Sequence, residues 1–309
     1  MRILLATDGS EQSDAAVDAI ARQRFQRGSE IRVISVIGPY MPIMHPLDAV
    51  NMNLVEKREK NAREAARTAV EKAVNHLLAG DKSDKLNITT EVLSGWPKVM
   101  ILDEAEVFGA DLIVVGSHGH GMLERFLLGT VAQAVALHAK CSVEIVRGPR
   151  SENGRKILLA IDGSEQSAAA VEELTRQPFP DGSELHLISV AELPNMLLPY
   201  PEEGIDLRVY GEFERSVYQR ANTAVENAAI KLRAGSESNK LTITTDVPCG
   251  SPKEVILEEA EVFGADLIVV GSHGYGMVEG FLLGSVSLAV VLHAKCSVEI
   301  VRSTEQGEG

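Results

Sequence analysis

Short apolar runs alternate with longer amphipathic segments along the chain. Five runs rich in Val, Ile and Leu predict strands over residues 2–7, 30–37, 87–93, 111–115 and 142–147. The segments between them have apolar residues at helical spacing and predict helices at about residues 11–22, 54–79, 97–108 and 130–139. Residues 38–51 hold three prolines and predict a loop. Strands that alternate with helices indicate an α/β fold with a parallel sheet.

The second half of the chain repeats the first. Three segments recur unchanged: residues 8–13 return at 162–167, residues 106–119 at 261–274, and residues 137–147 at 292–302. A repeat of this length predicts two tandem domains, residues 1–147 and 155–302. The polar segment 148–154 contains Pro and Gly and is predicted to be a linker, and residues 303–309 are predicted to be a disordered tail.

Composition narrows the class of partner. The chain has 309 residues and a formal net charge of −14, which argues against nucleic acid because phosphate backbones are bound by clustered Lys and Arg. No apolar run approaches the roughly 18 residues of a membrane span, so we expect no membrane partner and no secretory signal. The three cysteines include no CxxC pair, which favours a reducing, cytoplasmic location.

Each copy carries a glycine-rich loop after an apolar strand. Its pattern is Gly, two residues, Gly, nine residues, and then Gly followed by Thr or Ser. Glycine lets the backbone approach phosphate oxygens closely, and the helix that follows would point free N–H groups at an anion. The pattern occupies Gly116, Gly119, Gly129 and Thr130 in the first copy and Gly271, Gly274, Gly284 and Ser285 in the second. The loops therefore predict phosphate binding at the carboxyl end of the sheet, where ligands of parallel sheets lie.

Two common phosphate-binding motifs are absent from the sequence. No GxxxxGK[ST] segment occurs, which excludes a P-loop, and the GxGxxG fingerprint of Rossmann dinucleotide sites is not met.

The glycine pattern resembles that of the ATP-binding members of the universal stress protein family. Asp8-Gly9-Ser10, the apolar strand before the loop and the Ala139-Lys140-Cys141 end of the last helix are similar to that family as well. The resemblance covers both copies almost end to end. It implies a flavodoxin-like fold in each copy, a five-stranded parallel sheet of order 3-2-1-4-5 flanked by helices, with ATP over the ends of the first and fourth strands.

The resemblance also implies which residues contact the nucleotide, which is ATP, or AMP or ADP in its place. Asp8 and Thr7 would lie near the adenine with Val36 beside it, the first glycines and His118 would line the ribose and first phosphates, and the start of the last helix would hold the outer phosphates. The first-copy residues are Thr7, Asp8, Val36, Gly116, His118, Gly119, Gly129, Thr130 and Val131. Their counterparts are Ile161, Asp162, Val190, Gly271, His273, Gly274, Gly284, Ser285 and Val286. Mg²⁺ would be held through the phosphates rather than by protein side chains.

The two loops differ at one charged position. Arg125 lies within the first loop, and its counterpart in the second is Gly280. A hydrogen bond from Arg125 to a phosphate would contribute about 1.5–3 kcal/mol. We therefore predict that the first copy binds nucleotide more tightly.

Purely structural interpretations stay open beside these. Asp8 and Asp162 suit a turn, since Asp-Gly is a common turn pair. His118 and His273 could simply fill the loop, and each glycine loop could be a tight strand-to-helix turn that binds nothing.

Three functions remain at this point. The first is an ATP-binding stress-response or regulatory protein, the second a slow ATPase or phosphotransferase, and the third a structural dimerisation module without ligand. Neither loop contains a lysine, and no nucleophile elbow occurs, so no catalytic residue is assigned. Because the family often pairs through the last strand, residues 142–147 and 297–302 could form an intramolecular pseudo-dimer, on which a homodimer could build.

Overall fold

The computed structural model describes residues 1–23, 28–39, 52–80, 86–119, 128–148, 154–193, 207–235, 241–274 and 283–303. It divides the chain into two compact units, Met1–Arg150 and Ser151–Gly309, called unit one and unit two below. Most of the predicted loop 38–51, the residues Arg125 and Gly280, and nearly all of the predicted tail lie outside the described residues.

Unit one alternates strands with helices in the predicted order. Its strands are β1 (Arg2–Ala6), β2 (Glu30–Ile37), β3 (Asn87–Ser94), β4 (Leu112–Gly116) and β5 (Ser142–Val146). Its helices are α1 (Glu11–Ala21), α2 (Met52–Gly80), α3 (Pro97–Phe108) and α4 (Thr130–His138).

Unit two repeats this order. Its strands are β6 (Lys156–Ala160), β7 (Glu184–Ile188), β8 (Thr242–Asp246), β9 (Leu267–Gly271) and β10 (Ser297–Val301). Its helices are α5 (Glu165–Arg176), α6 (Leu207–Gly235), α7 (Pro252–Phe263) and α8 (Ser285–His293).

Each unit has a parallel sheet whose first strand lies at the centre. In unit one, β1 pairs with β2 and β4, β2 pairs with β3, and β4 pairs with β5. In unit two, β6 pairs with β7 and β9, β7 with β8, and β9 with β10. Both sheets therefore have the order 3-2-1-4-5, and the predicted fold class is confirmed. Strand order reverses between the first and fourth strands, which is where such sheets bind ligands.

Local chemistry explains where the helices begin and end. The hydroxyl of Ser10 accepts a hydrogen bond from the backbone N–H of Ser13 at 3.3 Å, and so caps α1. Ser164 caps α5 in the same way. Pro97 occupies the first turn of α3, and Gly109 ends that helix with φ of 67°, a left-handed conformation that favours glycine.

The cores are aliphatic, and the long helices enter them only with their second halves. In α6 burial begins at Ala221 and continues through Val225 and Leu232 against the sheet and α5. In α2 it begins at Ala66. The preceding residues, 55–65 of α2 and 210–220 of α6, are exposed or half-buried and are called the upper turns below. Among the described helices, none is both long enough and apolar enough to cross a membrane.

Candidate functional site

A cavity of 630 Å³ lies at the carboxyl edge of the sheet of unit two. Small-molecule sites in proteins have volumes of about 300–1,000 Å³, so the cavity has the size of a nucleotide-scale ligand. All nine residues that the sequence assigns to the second site line it. They are Ile161, Asp162, Val190, Gly271, His273, Gly274, Gly284, Ser285 and Val286.

The Asp162 carboxylate lines this cavity and is held in place by hydrogen bonds from Ser164. Its Oδ1 accepts hydrogen bonds from the Ser164 backbone N–H at 3.0 Å and from the Ser164 hydroxyl at 2.6 Å. A Cβ added to Gly274 would collide with Oδ2 of the same carboxylate. The glycine therefore allows the loop backbone to lie directly against Asp162.

A second glycine brings the start of the loop against α5. A Cβ at Gly271 would lie 3.0 Å from the backbone carbon of Gln166 and 3.1 Å from the backbone nitrogen of Ser167. The Ser287 hydroxyl donates to the carbonyl oxygen of Gly271 at 2.6 Å, which ties α8 to the end of β9. These contacts hold the end of β9 and the first turns of α5 and α8 around the cavity.

The N-terminus of α8 opens into the cavity. Gly284 is its N-cap residue, and no side chain among the described residues caps it. The backbone N–H groups of a first helical turn have no partner within the helix, and they carry about half a positive charge together. Ser285 is exposed beside them and adds a hydroxyl donor. The arrangement suits an anion such as a phosphate group.

His273 contributes an imidazole with one nitrogen uncommitted. Its Nδ1 lies 3.1 Å from the Ser272 hydroxyl, whereas its buried Nε2 has no hydrogen-bond partner within the described ranges. Burial lowers the pKa of His273 below its ordinary value, and the positive charge of Arg302 lowers that pKa further. Both effects favour the neutral form of the ring.

Unit one repeats this geometry at the residues the structure describes. Oδ1 of Asp8 accepts from the Ser10 backbone N–H at 3.0 Å, and a Cβ at Gly119 would collide with Oδ2 of Asp8. A Cβ at Gly129 would lie 3.1 Å from the Cα of His118. The matched positions Val36, Gly116, Thr130 and Val131 lie at the end of β2, the end of β4 and the start of α4.

The Thr7 hydroxyl makes contacts within its own turn. Its hydroxyl is buried, lies 3.0 Å from the Ser13 hydroxyl and accepts from the Gly9 backbone N–H at 3.2 Å. Its side chain therefore stabilises the turn and the start of α1. The structural interpretation of the Asp-Gly turn holds for Asp8 and Asp162 as well, and a role toward a ligand is compatible with it.

The cavity also has a wall that sequence reasoning missed. Four residues of α6 line it at the spacing i, i+4, i+7 and i+8, and we call them the α6 wall. They are Phe213, Val217, Arg220 and Ala221. That spacing in the sequence marks one helix face, but only the packing of α6 shows that this face borders the cavity.

Among the described residues, no group of three or more His, Cys, Asp or Glu side chains is placed to hold a metal ion.

Similar proteins share this organisation over nearly the whole chain. A universal stress protein of Mycolicibacterium smegmatis is 30% identical over 313 residues, covering 97% of this chain and 96% of the relative. The universal stress protein Rv2005c of Mycobacterium tuberculosis is 29% identical over 321 residues, covering 98% and 97%.

A solved structure shows the same two-unit fold. A universal stress protein from Archaeoglobus fulgidus superposes with a TM-score of 0.58 at 23% identity, covering 97% of this chain and 96% of the other. The model of the universal stress protein family matches twice, over residues 1–147 and 154–302. This chain therefore belongs to the universal stress protein family and contains two tandem copies of its domain.

Proposed function

We propose that this protein binds adenine nucleotides, ATP foremost, at one site in each unit, and that occupancy serves a regulatory or stress-response role. The observation that supports the proposal most is the cavity of unit two, because all nine residues that the family resemblance assigns to this site line it together. These residues lie at or just beyond the ends of β6, β7 and β9 and at the start of α8, which meet at the carboxyl edge of the sheet, where parallel sheets bind ligands.

The cavity offers suitable groups to both the base and the phosphates of a nucleotide. Ile161 and Val190 offer apolar surface to a base, and the uncapped start of α8 offers N–H donors to phosphates. Mg²⁺ would then be bound through the phosphates. Because the donors are mostly backbone groups, the net charge of −14 does not oppose binding.

The first experiment is acid extraction of the purified protein followed by nucleotide chromatography. Recovery of adenine nucleotide supports the proposal and opposes a purely structural module. Turnover of added ATP would instead favour the ATPase interpretation.

Calorimetry with two matched variants then separates the sites. Thr130 and Ser285 are exposed at the first position of α4 and α8. A glutamate there favours the helix start by about 0.3–1 kcal/mol but repels phosphate. We expect two ATP molecules per wild-type chain, one in Thr130→Glu, one in Ser285→Glu, and none in the double variant.

Wild-type stoichiometry in the double variant would contradict the proposed sites. The single variants also give the affinity of each site in the full chain. They therefore test the prediction from Arg125 and Gly280 that the first site binds more tightly. Light scattering tests the oligomeric state of the chain, which stays a prediction.

A further inference from the structure

The residues of the α6 wall differ from their counterparts in unit one. The copies align with an offset of 155 over these helices, because α2 and α6 are both 29 residues long and both end in Ala-Gly. Phe213 then corresponds to Arg58, Val217 to Ala62 and Arg220 to Ala65. Beside the exchange of Arg125 for Gly280 in the loops, the wall is therefore a second difference between the residues of the two sites.

The order of the elements places the α6 wall on the side of the cavity next to β7. Helix α6 follows β7 in the chain and packs against α5, β7 and β8. Val190 follows the end of β7, and the adenine is expected beside it. The start of α8, where the phosphates are expected, follows β9 on the other side of β6. The upper turns of α6 therefore lie on the side of the site where the adenine is expected.

Phe213 has the properties of a stacking surface. It lines the cavity and is 40% exposed, unlike the aliphatic side chains that form the core. Four residues on, Val217 extends the same apolar face into the cavity. An aromatic ring on such a face offers a planar partner to a nucleobase, and base–aromatic stacking contributes about 1–3 kcal/mol.

We propose that Phe213 stacks on the base of the nucleotide in the second site and gives that site a base contact different from the one that the matched residue of unit one offers. This inference rests on the proposed function. Arg58 stands at the matched position of the first site and is exposed, so the first site offers a cation where the second offers an aromatic ring. The two sites therefore differ in what faces the base, in addition to the difference between Arg125 and Gly280 in their loops.

The test measures ATP binding to the full chain in the Thr130→Glu background, where only the second site is open. Phe213→Ala is expected to weaken ATP binding roughly 5- to 150-fold, from the strength of base–aromatic stacking. Phe213→Tyr keeps the ring and is expected to retain the wild-type affinity. Phe213→Ala in the Ser285→Glu background, where only the first site is open, is expected to leave the affinity unchanged.

Tryptophan fluorescence tests directly whether the nucleotide contacts position 213. The chain has one tryptophan, Trp96. In the variant Trp96→Phe, Phe213→Trp, Thr130→Glu, the single tryptophan lies on the α6 wall, and ATP is expected to quench its emission.

The outcomes separate the two proposals. If the Thr130→Glu chain binds ATP and Phe213→Ala binds it equally well, the stacking inference is wrong and the proposed function stands. If Phe213→Ala lowers the melting temperature and Phe213→Tyr does not restore binding, Phe213 supports the fold of α6 and the stacking inference is again wrong. If neither wild-type protein nor Thr130→Glu binds nucleotide, both proposals are overturned.

Discussion

Gly274 has no room for a side chain, because a Cβ added there would collide with Oδ2 of Asp162. Gly274→Ala is therefore expected to displace the Asp162 carboxylate from its hydrogen bonds with Ser164. We expect ATP affinity at the second site to fall about tenfold or more, the scale of one charged hydrogen bond. Calorimetry in the Thr130→Glu background measures this.

A matched glycine provides the control for that substitution. A Cβ at Gly211, in the upper turns of α6, would meet no atom within 4 Å. Gly211→Ala is expected to leave ATP affinity unchanged and to stabilise the helix by about 0.5–1 kcal/mol. Equal affinities in Gly274→Ala and Gly211→Ala would show that the close approach to Asp162 is unimportant.

His273 predicts a pH dependence of stability. Its pKa is lowered in the folded protein, first by burial and then by Arg302, so the folded state binds fewer protons than the unfolded state below pH 6.5. Stability is therefore highest above pH 6.5 and falls as the pH drops from 6.5 toward the lowered pKa. Denaturation across pH 5–7.5 is expected to show a smaller loss for His273→Gln than for wild type, and NMR titration of the ring gives the pKa directly.

At the residue scale, the sequence could predict the close approaches and the turn at the candidate site. Close backbone approach requires glycine, as at Gly116 and Gly119, and a tight turn favours aspartate, as at Asp8. The sequence could not show that the Thr7 hydroxyl contacts the Ser13 hydroxyl. That contact depends on where α1 begins relative to β1.

At the scale of elements, an ion pair joins β2 to α3 in unit one. Arg32 pairs with Glu104, whose side chain is 11% exposed, and the Arg32 guanidinium carbon lies 4.3 Å from the centre of the Phe108 ring. Arg32→Ala would remove the paired cation from a carboxylate that is mostly buried. We expect a loss of about 1–3 kcal/mol, less than the roughly 3–5 kcal/mol of a fully buried pair because Arg32 is partly exposed.

Urea unfolding followed by Trp96 fluorescence measures this loss, since that tryptophan reports on unit one alone. Lys140→Ala is the control, because it breaks an ion pair with Glu106 in which both side chains are about half exposed. Its cost should be about 0.5 kcal/mol or less. A loss for Arg32→Ala no greater than the control would contradict the prediction.

The elements themselves were largely readable from the sequence. The predicted helix over 97–108 and strand over 30–37 match α3 and β2 residue for residue. Strand ends shifted by one residue elsewhere, since β4 includes Gly116, which pairs with Val146. The sequence did not predict which face of α6 borders the cavity, because the upper turns of this helix do not pack into the core.

At the scale of the whole molecule, the single tryptophan lies in only one unit. Trp96 is 57% exposed and immediately precedes Pro97, whose counterpart Pro252 lines the cavity of unit two. The adjacent Gly95 N–H donates to the Ile37 carbonyl, one residue beyond Val36. We therefore expect Trp96 to lie near the base end of the first site.

Nucleotide binding should accordingly change Trp96 emission in a site-specific way. We expect ATP to alter the fluorescence of the wild-type protein and of Ser285→Glu, and to leave that of Thr130→Glu unaltered. A response in Thr130→Glu would show that occupancy of the second site is felt in unit one.

The upper turns of α2 and α6 have a consequence for how a duplicated protein diverges. A 29-residue helix is about 44 Å long, whereas a five-residue strand spans about 17 Å. The excess length carries almost no core packing, so substitutions there cost little folding stability, whereas the strands Leu112–Gly116 and Leu267–Gly271 are buried in the cores. After duplication, such a region can acquire new specificity in one copy without loss of the fold, and the exchange of Arg58 for Phe213 is the kind of change it permits.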